Sequence, residues 1–373
     1  MKNSREKRLI QELLEPARIQ IDGTEPFDIH VHNPDFYPEI LARGSLALGE
    51  SYMAGWWDCV ALDQFFYHVM GARLDRKVRA SRAALWAGFK ARLLQKTSRQ
   101  KAFEIGRRHY DIGNDLFSVM LDRQMNYSCA YWKQADNLDA AQEAKLDLTC
   151  RKLMLKEGMR VLDIGCGWGG FAVYAAKNYG VEVVGITVAQ EQVKLARERV
   201  AGLPITIELK DYRDLQERFD RVVSIGMFEH VGLPNYRKYM ESVLGCLNSD
   251  GLFLLHTIGG NTSTNTTDPW IEKYIFPNSM LPSASQISAA AEGLFVMEDW
   301  HSFGHYYDRT LMAWYKNLKD NWDQLKSVYD ESFYRMWSYY LLSCAGAFRS
   351  RRNHLWQIVF SKKEREGGYE AIR

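Results

Sequence analysis

The chain has 373 residues, of which 46% are hydrophobic and 25% charged, the balance of a folded globular protein with room for more than one domain. Its six cysteines are scattered with no CxxC pair, which argues against a zinc ribbon or a disulfide framework and fits a reducing cytoplasm. The net charge of +2 hides an asymmetry: residues 73–108 hold twelve Lys/Arg against two acids, a local +10, so the rest of the chain carries −8. A basic segment on an acidic body calls for an anionic partner, either a lipid surface or a nucleic acid.

The N-terminal stretch MKNSREKRLIQELLEP has charge but no apolar core, so it does not read as a signal peptide. No window approaches roughly 18 uninterrupted apolar residues, so no segment is expected to span a membrane. Residues 1–72 read as a small N-terminal α+β domain whose most distinctive stretch is GSLALGESYMAGWWDC, residues 44–59. There Trp56 and Trp57 suit a core, or an anchor at a membrane interface, since indole has an apolar body and a polar tip. Residues 73–108 form the basic connector, with Val78, Leu85, Phe89 and Leu93 at helical spacing. That pattern suits an amphipathic helix on an anionic surface, and equally a linker helix packed on its own protein.

Residues 109–373 alternate between strand and helix patterns. The strands read as MRVLDI, VEVVGIT, ITIELKD, FDRVVSIG, GLFLLHTI, GLFVMEDW and HLWQIVFSK, with helices over 169–178, AQEQVKLARERVA and 236–247 between them. Such alternation predicts an α/β fold, a mostly parallel Rossmann-like sheet with helices on both faces.

VLDIGCGWGG, residues 161–170, is the strongest single signal. A strand runs into a glycine-rich turn and then a helix, and Gly165, Gly167 and Gly169 let backbone approach a ligand closely. The spacing is GxGxG, not the GxGxxG that opens onto a dinucleotide pyrophosphate. Asp163 precedes the turn, where a carboxylate meets a cationic amino-acid end. Both features favour S-adenosylmethionine over a nicotinamide, and DIGCGWGG is similar to the first motif of the class I methyltransferases. The next strand ends GITVAQEQ without the usual ribose-gripping acid, leaving Thr187 and Gln192 as polar candidates. In KDYRDL, Asp211 is placed to receive an adenine amino group with Tyr212 beside the ring.

The loop after FDRVVSI reads GMFEHVG, residues 226–232. The Asn/Asp-Pro-Pro-aromatic motif with which nitrogen methyltransferases grip an amine is missing, and Glu229 occupies the loop. A carboxylate there stabilises positive charge or removes a proton. His256 in LLHTIG comes to the same edge of the sheet.

Taken in order, GSLALGESYMAGWWDC, HYDIGNDLF, YSCAYW, VLDIGCGWGG, GMFEHVG, LLHTIG, DPWIEKYIFP, MEDWHSFGHYYDRTLMAW and CAGAFR make the chain resemble the cyclopropane fatty acid synthases over almost its full length. The resemblance implies a class I S-adenosylmethionine methyltransferase fold with a seven-stranded sheet, and transfer of a methylene to the cis double bond of an unsaturated phospholipid acyl chain. It also implies a bicarbonate ion beside the cofactor methyl, held by Cys129, Glu229, His256, the backbone of Ile258 and Tyr307, with Cys344 near the site. Tyr127, Ser128, Gly165, Thr187, Gln192 and Asp211 match cofactor-contact positions. The implied partner is a phospholipid bilayer reached from the cytoplasm at the inner face of the membrane, with a homodimer gaining avidity there. Aromatic faces such as Tyr131, Trp132 or Phe228 are candidates to stabilise a carbocation on the chain. Rival readings are an RNA methyltransferase, for which no recognised RNA-binding motif is present, a methyltransferase acting on another lipid or small molecule, and a catalytically silent lipid-binding protein.

Overall fold

The computed structural model describes residues 2–74, 113–363 and 365–373. Apart from Arg73 and Leu74, the basic connector lies outside the described residues.

Two compact units emerge, and they do not follow chain order. The first comprises the described residues of Met1–Leu94 with Thr266–Pro277 and Tyr307–Asn353; the second comprises those of Gln95–Asn265, Asn278–Tyr306 and His354–Arg373. The linear division at residues 72 and 109 is therefore not the division of the contacts. The reason lies in an unusually close helix pair. The helix Leu62–Gly71 packs on the helix Glu331–Arg349, and a Cβ on Gly346 would stand 2.6 Å from the Phe66 Cβ and 2.7 Å from the Asp63 carbonyl oxygen. Only glycine admits that approach. Arg349 joins the same two helices by an ion pair to Asp63 at 2.7 Å and pairs also with Asp308, on the helix His305–Asp320, at 2.9 Å.

Within this first unit β1 (His30–Val31) and β2 (Trp57–Asp58) pair antiparallel. Trp57 is wholly buried and its Nε1 donates to the Leu48 carbonyl and Ser51 Oγ, both at 3.1 Å, which makes it a core residue. Trp56 beside it is half-buried.

The second unit is built on seven strands, β3 (Arg160–Ile164), β4 (Glu182–Thr187), β5 (Ile205–Leu209), β6 (Phe219–Ile225), β7 (Leu247–Gly260), β8 (Val296–Ser302) and β9 (Asn353–Ser361), in the spatial order β5-β4-β3-β6-β7-β9-β8. Neighbours from β5 through β7 are parallel, and β8 is antiparallel to β9. Successive strand residues feed two different cores: Leu162, Val222, Phe253 and Ile358 enter one, Val161, Val223, Leu254 and Val359 the other. Apolar side chains on both faces are what a parallel sheet covered by helices requires. The covering helices show the matching stripe. Tyr236, Tyr239, Met240 and Val243 are buried on Tyr236–Cys246, and Phe171, Ala172, Ala175 and Ala176 on Gly170–Tyr179. Strand order reverses between β3 and β6, and ligands bind at such a switch point outside the carboxyl ends of the strands. No helix among the described residues is long and apolar enough to cross a membrane.

Candidate active site

At the end of β3 the chain turns through Gly165, Gly167 and Gly169, with φ of +84°, +53° and +80°. L side chains rarely adopt these angles. A Cβ on Gly165 would lie 2.8 Å from the Met227 side chain, whereas one on Gly167 would meet nothing within 4 Å. The turn is thus tight on one side and open on the other. The amides of Gly165 and Cys166 anchor it to the Ile186 carbonyl at 2.9 and 3.0 Å. Gly170 next to it lets a second loop descend: a Cβ there would be 2.6 Å from the Gln124 carbonyl. That loop carries Tyr127, Ser128 and Cys129.

Beneath the turn lies a buried polar cluster. Asp163 is held up at about 7 by burial, against which the charge of Lys145 works. Lys145 is itself buried and pushed down to about 8, and its Nζ donates to Asn126 Oδ1 at 3.2 Å and Ser128 Oγ at 3.1 Å. Asn126 donates through its amide and its Nδ2 to Asp122, both at 2.8 Å. Gln142 Nε2 holds the Ser128 carbonyl at 2.9 Å. Lys145 and Gln142 escaped the sequence reading. A signal was present: Gln142, Lys145, Thr149 and Lys152 recur at helical spacing on Leu138–Lys152, and all four are buried.

The other cofactor candidates have partners within the chain. Thr187 Oγ1 donates to Gln192 Oε1 at 2.8 Å, which ties the end of β4 to the helix Gln190–Arg199. Arg213 grips both oxygens of Asp211, through Nε at 2.7 Å and Nη2 at 2.6 Å. Tyr212 is a core ring, edge-on to Tyr239 with centroids 5.0 Å apart. Tyr127 lies half-buried with its ring 5.1 Å from that of Phe117.

Glu229 follows β6 in a short 3-10 turn, Phe228–His230, and is 5% exposed. The Ile258 amide donates to its Oε1 at 2.7 Å, and the Met280 amide to its backbone carbonyl at 2.8 Å. Its Oε2 is buried with no hydrogen-bond partner. Burial raises this carboxyl to about 7, opposed by the Ile258 amide. His256 stands two residues earlier on β7, in register with Ile225, and the Gly226 amide donates to its carbonyl at 2.9 Å. Its ring is wholly buried, its Nε2 has no partner, and burial with the charges of Lys145 and Lys152 holds it neutral, well below the ordinary imidazole range. The Ile258 N–H named for an anion is thus already bonded to Glu229. Cys129 is wholly buried, its thiol 3.3 Å from the Ala130 carbonyl. Among the cation-stabilising candidates, Phe228 is stacked on Tyr236 at 4.2 Å within the core, and Tyr131 packs edge-on to Phe303 and Tyr306 at 5.2 and 5.4 Å.

The second unit therefore brings together the glycine turn, Asp163, Ser128, Cys129, Glu229, His256 and Ile258. Tyr307 and Cys344 belong to the first unit. There Tyr307 packs on Phe348 at 4.5 Å, and burial raises the half-buried Cys344 thiol to about 12. A thiol so raised stays protonated near neutrality and is no nucleophile.

A seven-stranded, mostly parallel sheet with an acid-preceded glycine turn at its switch point defines a class I S-adenosylmethionine-dependent methyltransferase. The chain belongs to the mycolic acid cyclopropane synthetase family, whose model matches residues 97–358. It is 55% identical to a cyclopropane-fatty-acyl-phospholipid synthase of Escherichia coli (strain K12) over 360 residues, 96% of this chain and 94% of that protein. Among solved structures, the cyclopropane synthase MmaA2 from Mycobacterium tuberculosis superposes with a TM-score of 0.67 at 31% identity, covering 72% of this chain and all of that one. The mycolic acid cyclopropane synthase CmaA1 complexed with SAH and CTAB gives 0.65 at 33% identity, covering 70% of this chain and 98% of that one.

Proposed function

We propose that this enzyme transfers a methylene from S-adenosylmethionine to the cis double bond of an unsaturated acyl chain of a membrane phospholipid. The observation that carries the reading is the pair of buried, unpartnered atoms, Glu229 Oε2 and His256 Nε2. A buried polar atom without a partner costs about 1–3 kcal/mol, so two on neighbouring segments of one sheet edge mark a place for a polar ligand.

The residues fit both implied groups. The open side of Gly167 and the acid Asp163 suit the cationic amino-acid end of S-adenosylmethionine. Glu229, His256 and Cys129 suit bicarbonate. When bound, S-adenosylmethionine would supply the transferred carbon, and bicarbonate held by these residues would supply an acceptor for the proton that this carbon loses on ring closure. The chain does the rest by orientation and exclusion of water. An alkene is a poor nucleophile, so a fixed close approach in a dry site lowers its barrier. Glu229, poised near 7, accepts or donates a hydrogen bond around neutrality. His256 stays neutral and adds no second positive charge beside the developing carbocation.

Delivery of an acyl chain from a bilayer calls for contact with the membrane. The basic segment 73–108, with its local charge of +10, suits contact with the anionic inner face of the membrane. A homodimer would bind there with two such segments.

The test is incubation with isotope-labelled cofactor and unsaturated phospholipid vesicles, followed by mass analysis of the fatty acids. The reading expects gain of CH2 with loss of the alkene. A methyl adduct that keeps the alkene, or label in another lipid or a small molecule, would replace it with a simple methyl transfer. Glu229→Ala should abolish ring formation while leaving cofactor binding largely intact, and normal turnover by that variant removes Glu229 from the chemistry.

A further inference from the structure

A chain of hydrogen bonds behind His256 decides which ring nitrogen carries the proton. Thr149 Oγ1 donates its one proton to the Lys145 carbonyl at 2.8 Å, within the helix Leu138–Lys152. Toward any other neighbour the hydroxyl therefore acts as an acceptor. Gln357, wholly buried on β9, places its Nε2 at 3.1 Å from Thr149 Oγ1 and 3.3 Å from His256 Nδ1. An amide nitrogen only donates. In this orientation of the amide, which leaves Gln357 Oε1 buried without a partner, one Nε2 proton goes to Thr149 and the other to Nδ1, the bare nitrogen of the neutral ring. The proton of His256 is left on Nε2, the atom that is buried without a partner.

We propose that Gln357, oriented by Thr149, is a positioning residue that holds His256 as its Nε2–H tautomer and so presents a buried N–H donor to a small oxyanion in the site. The oxyanion rests on the function proposed above; the tautomer does not. The opposite tautomer would turn a lone pair toward the anion and repel it. At metal-bound imidazoles, removing the outer hydrogen-bond partner that fixes the tautomer typically changes activity or affinity by about 10–100-fold, and an effect of that order is expected here. Neither Thr149 nor Gln357 needs to touch cofactor or lipid.

The full-length protein, labelled with 15N-histidine, reads this directly in long-range 1H–15N spectra, with His256→Gln assigning the signals. The expected spectrum shows a protonated Nε2 and a bare Nδ1; a protonated Nδ1 in the unsubstituted protein overturns the proposal. Gln357→Met removes the donor at similar volume. It should shift the two nitrogens toward averaged values and lower kcat by about tenfold or more, with affinity for S-adenosylhomocysteine and the thermal midpoint retained. Unchanged nitrogen shifts, or shifted ones with undiminished kcat, overturn the assigned role. Should Gln357→Met fail to fold, Thr149→Val and Thr149→Ser decide: the valine should disturb the tautomer and the serine restore it, and identical spectra for the two sink the idea. Absence of cyclopropane product together with an Nε2–H signal would remove the reaction and still support the tautomer.

Discussion

The backbone N–H of Ile258 donates to Oε1 of Glu229 at 2.7 Å, while the second oxygen of that carboxyl is buried with no partner. One oxygen is held by the backbone of β7, and the other is the atom proposed above to meet a polar ligand. Burial outweighs the lowering effects of the Ile258 amide, the Glu229 backbone and the Thr257 side chain and raises the carboxyl from 4.5 to about 7. Folding therefore favours the protonated form. The associated stability is fully present below pH 4.5 and is lost as pH rises through about 7. The loss is about 3 kcal/mol from the size of the shift. Glu229→Gln should match the unsubstituted protein at pH 4.5 and exceed it at pH 8 by an amount of that order. Denaturant melts at the two pH values check it; equal pH dependence in both proteins means the carboxyl is not held up.

Lys145 is expected to tune Asp163, the acid proposed to meet the cofactor. Its charge draws the Asp163 carboxyl down against burial. Lys145→Met removes that charge and moves the Asp163 titration upward, so less carboxylate is present at neutral pH. Affinity for S-adenosylmethionine, measured calorimetrically from pH 6 to 9, should weaken at pH 7 and recover at higher pH than in the unsubstituted protein. A pH profile that does not move would remove Lys145 from this role.

The glycine turn supplies a paired test. Gly165→Ala puts a Cβ at φ +84° and 2.8 Å from Met227, whereas Gly167→Ala meets no protein atom within 4 Å at φ +53°. The first should lower stability by roughly 2 kcal/mol, the scale of left-handed strain in a residue with a Cβ. The second should leave the thermal midpoint closer to that of the unsubstituted protein while weakening cofactor affinity. Equal effects on affinity and stability in the two variants would mean that the open side of the turn is not where the cofactor lies.

Membrane contact through the basic segment predicts salt sensitivity. Binding to anionic vesicles should weaken as salt rises from about 0.05 to 0.5 M, since exposed charges are screened within about 10 Å at 0.1 M. Replacing Arg76, Lys77, Arg79 and Arg82 by Gln should reduce binding and its salt dependence together. Salt-independent binding in a co-sedimentation assay would transfer the contact to aromatic residues.

How much of this was legible along the chain differs residue by residue. The strands could be read because short apolar runs such as RVLDI, RVVSI and LFLLHTI alternate with helical patterns, and the glycine turn because only glycine tolerates its dihedrals. Glu229 stood out as a carboxylate in the loop after a buried strand, where the nitrogen-gripping proline motif is missing. These properties depend on neighbours in sequence, so the amino-acid order alone determined them. The pairing of Gln357 with His256, 101 residues apart, carries no such signature. Nor does the gathering of Thr266–Pro277 and Tyr307–Asn353 with the N-terminal helices. There, a missing Cβ at Gly346 and the apolar face of a helix far earlier in the chain had to meet. Which buried polar group finds which partner is settled only when the core closes and water leaves, because that is when an unmatched donor or acceptor becomes expensive.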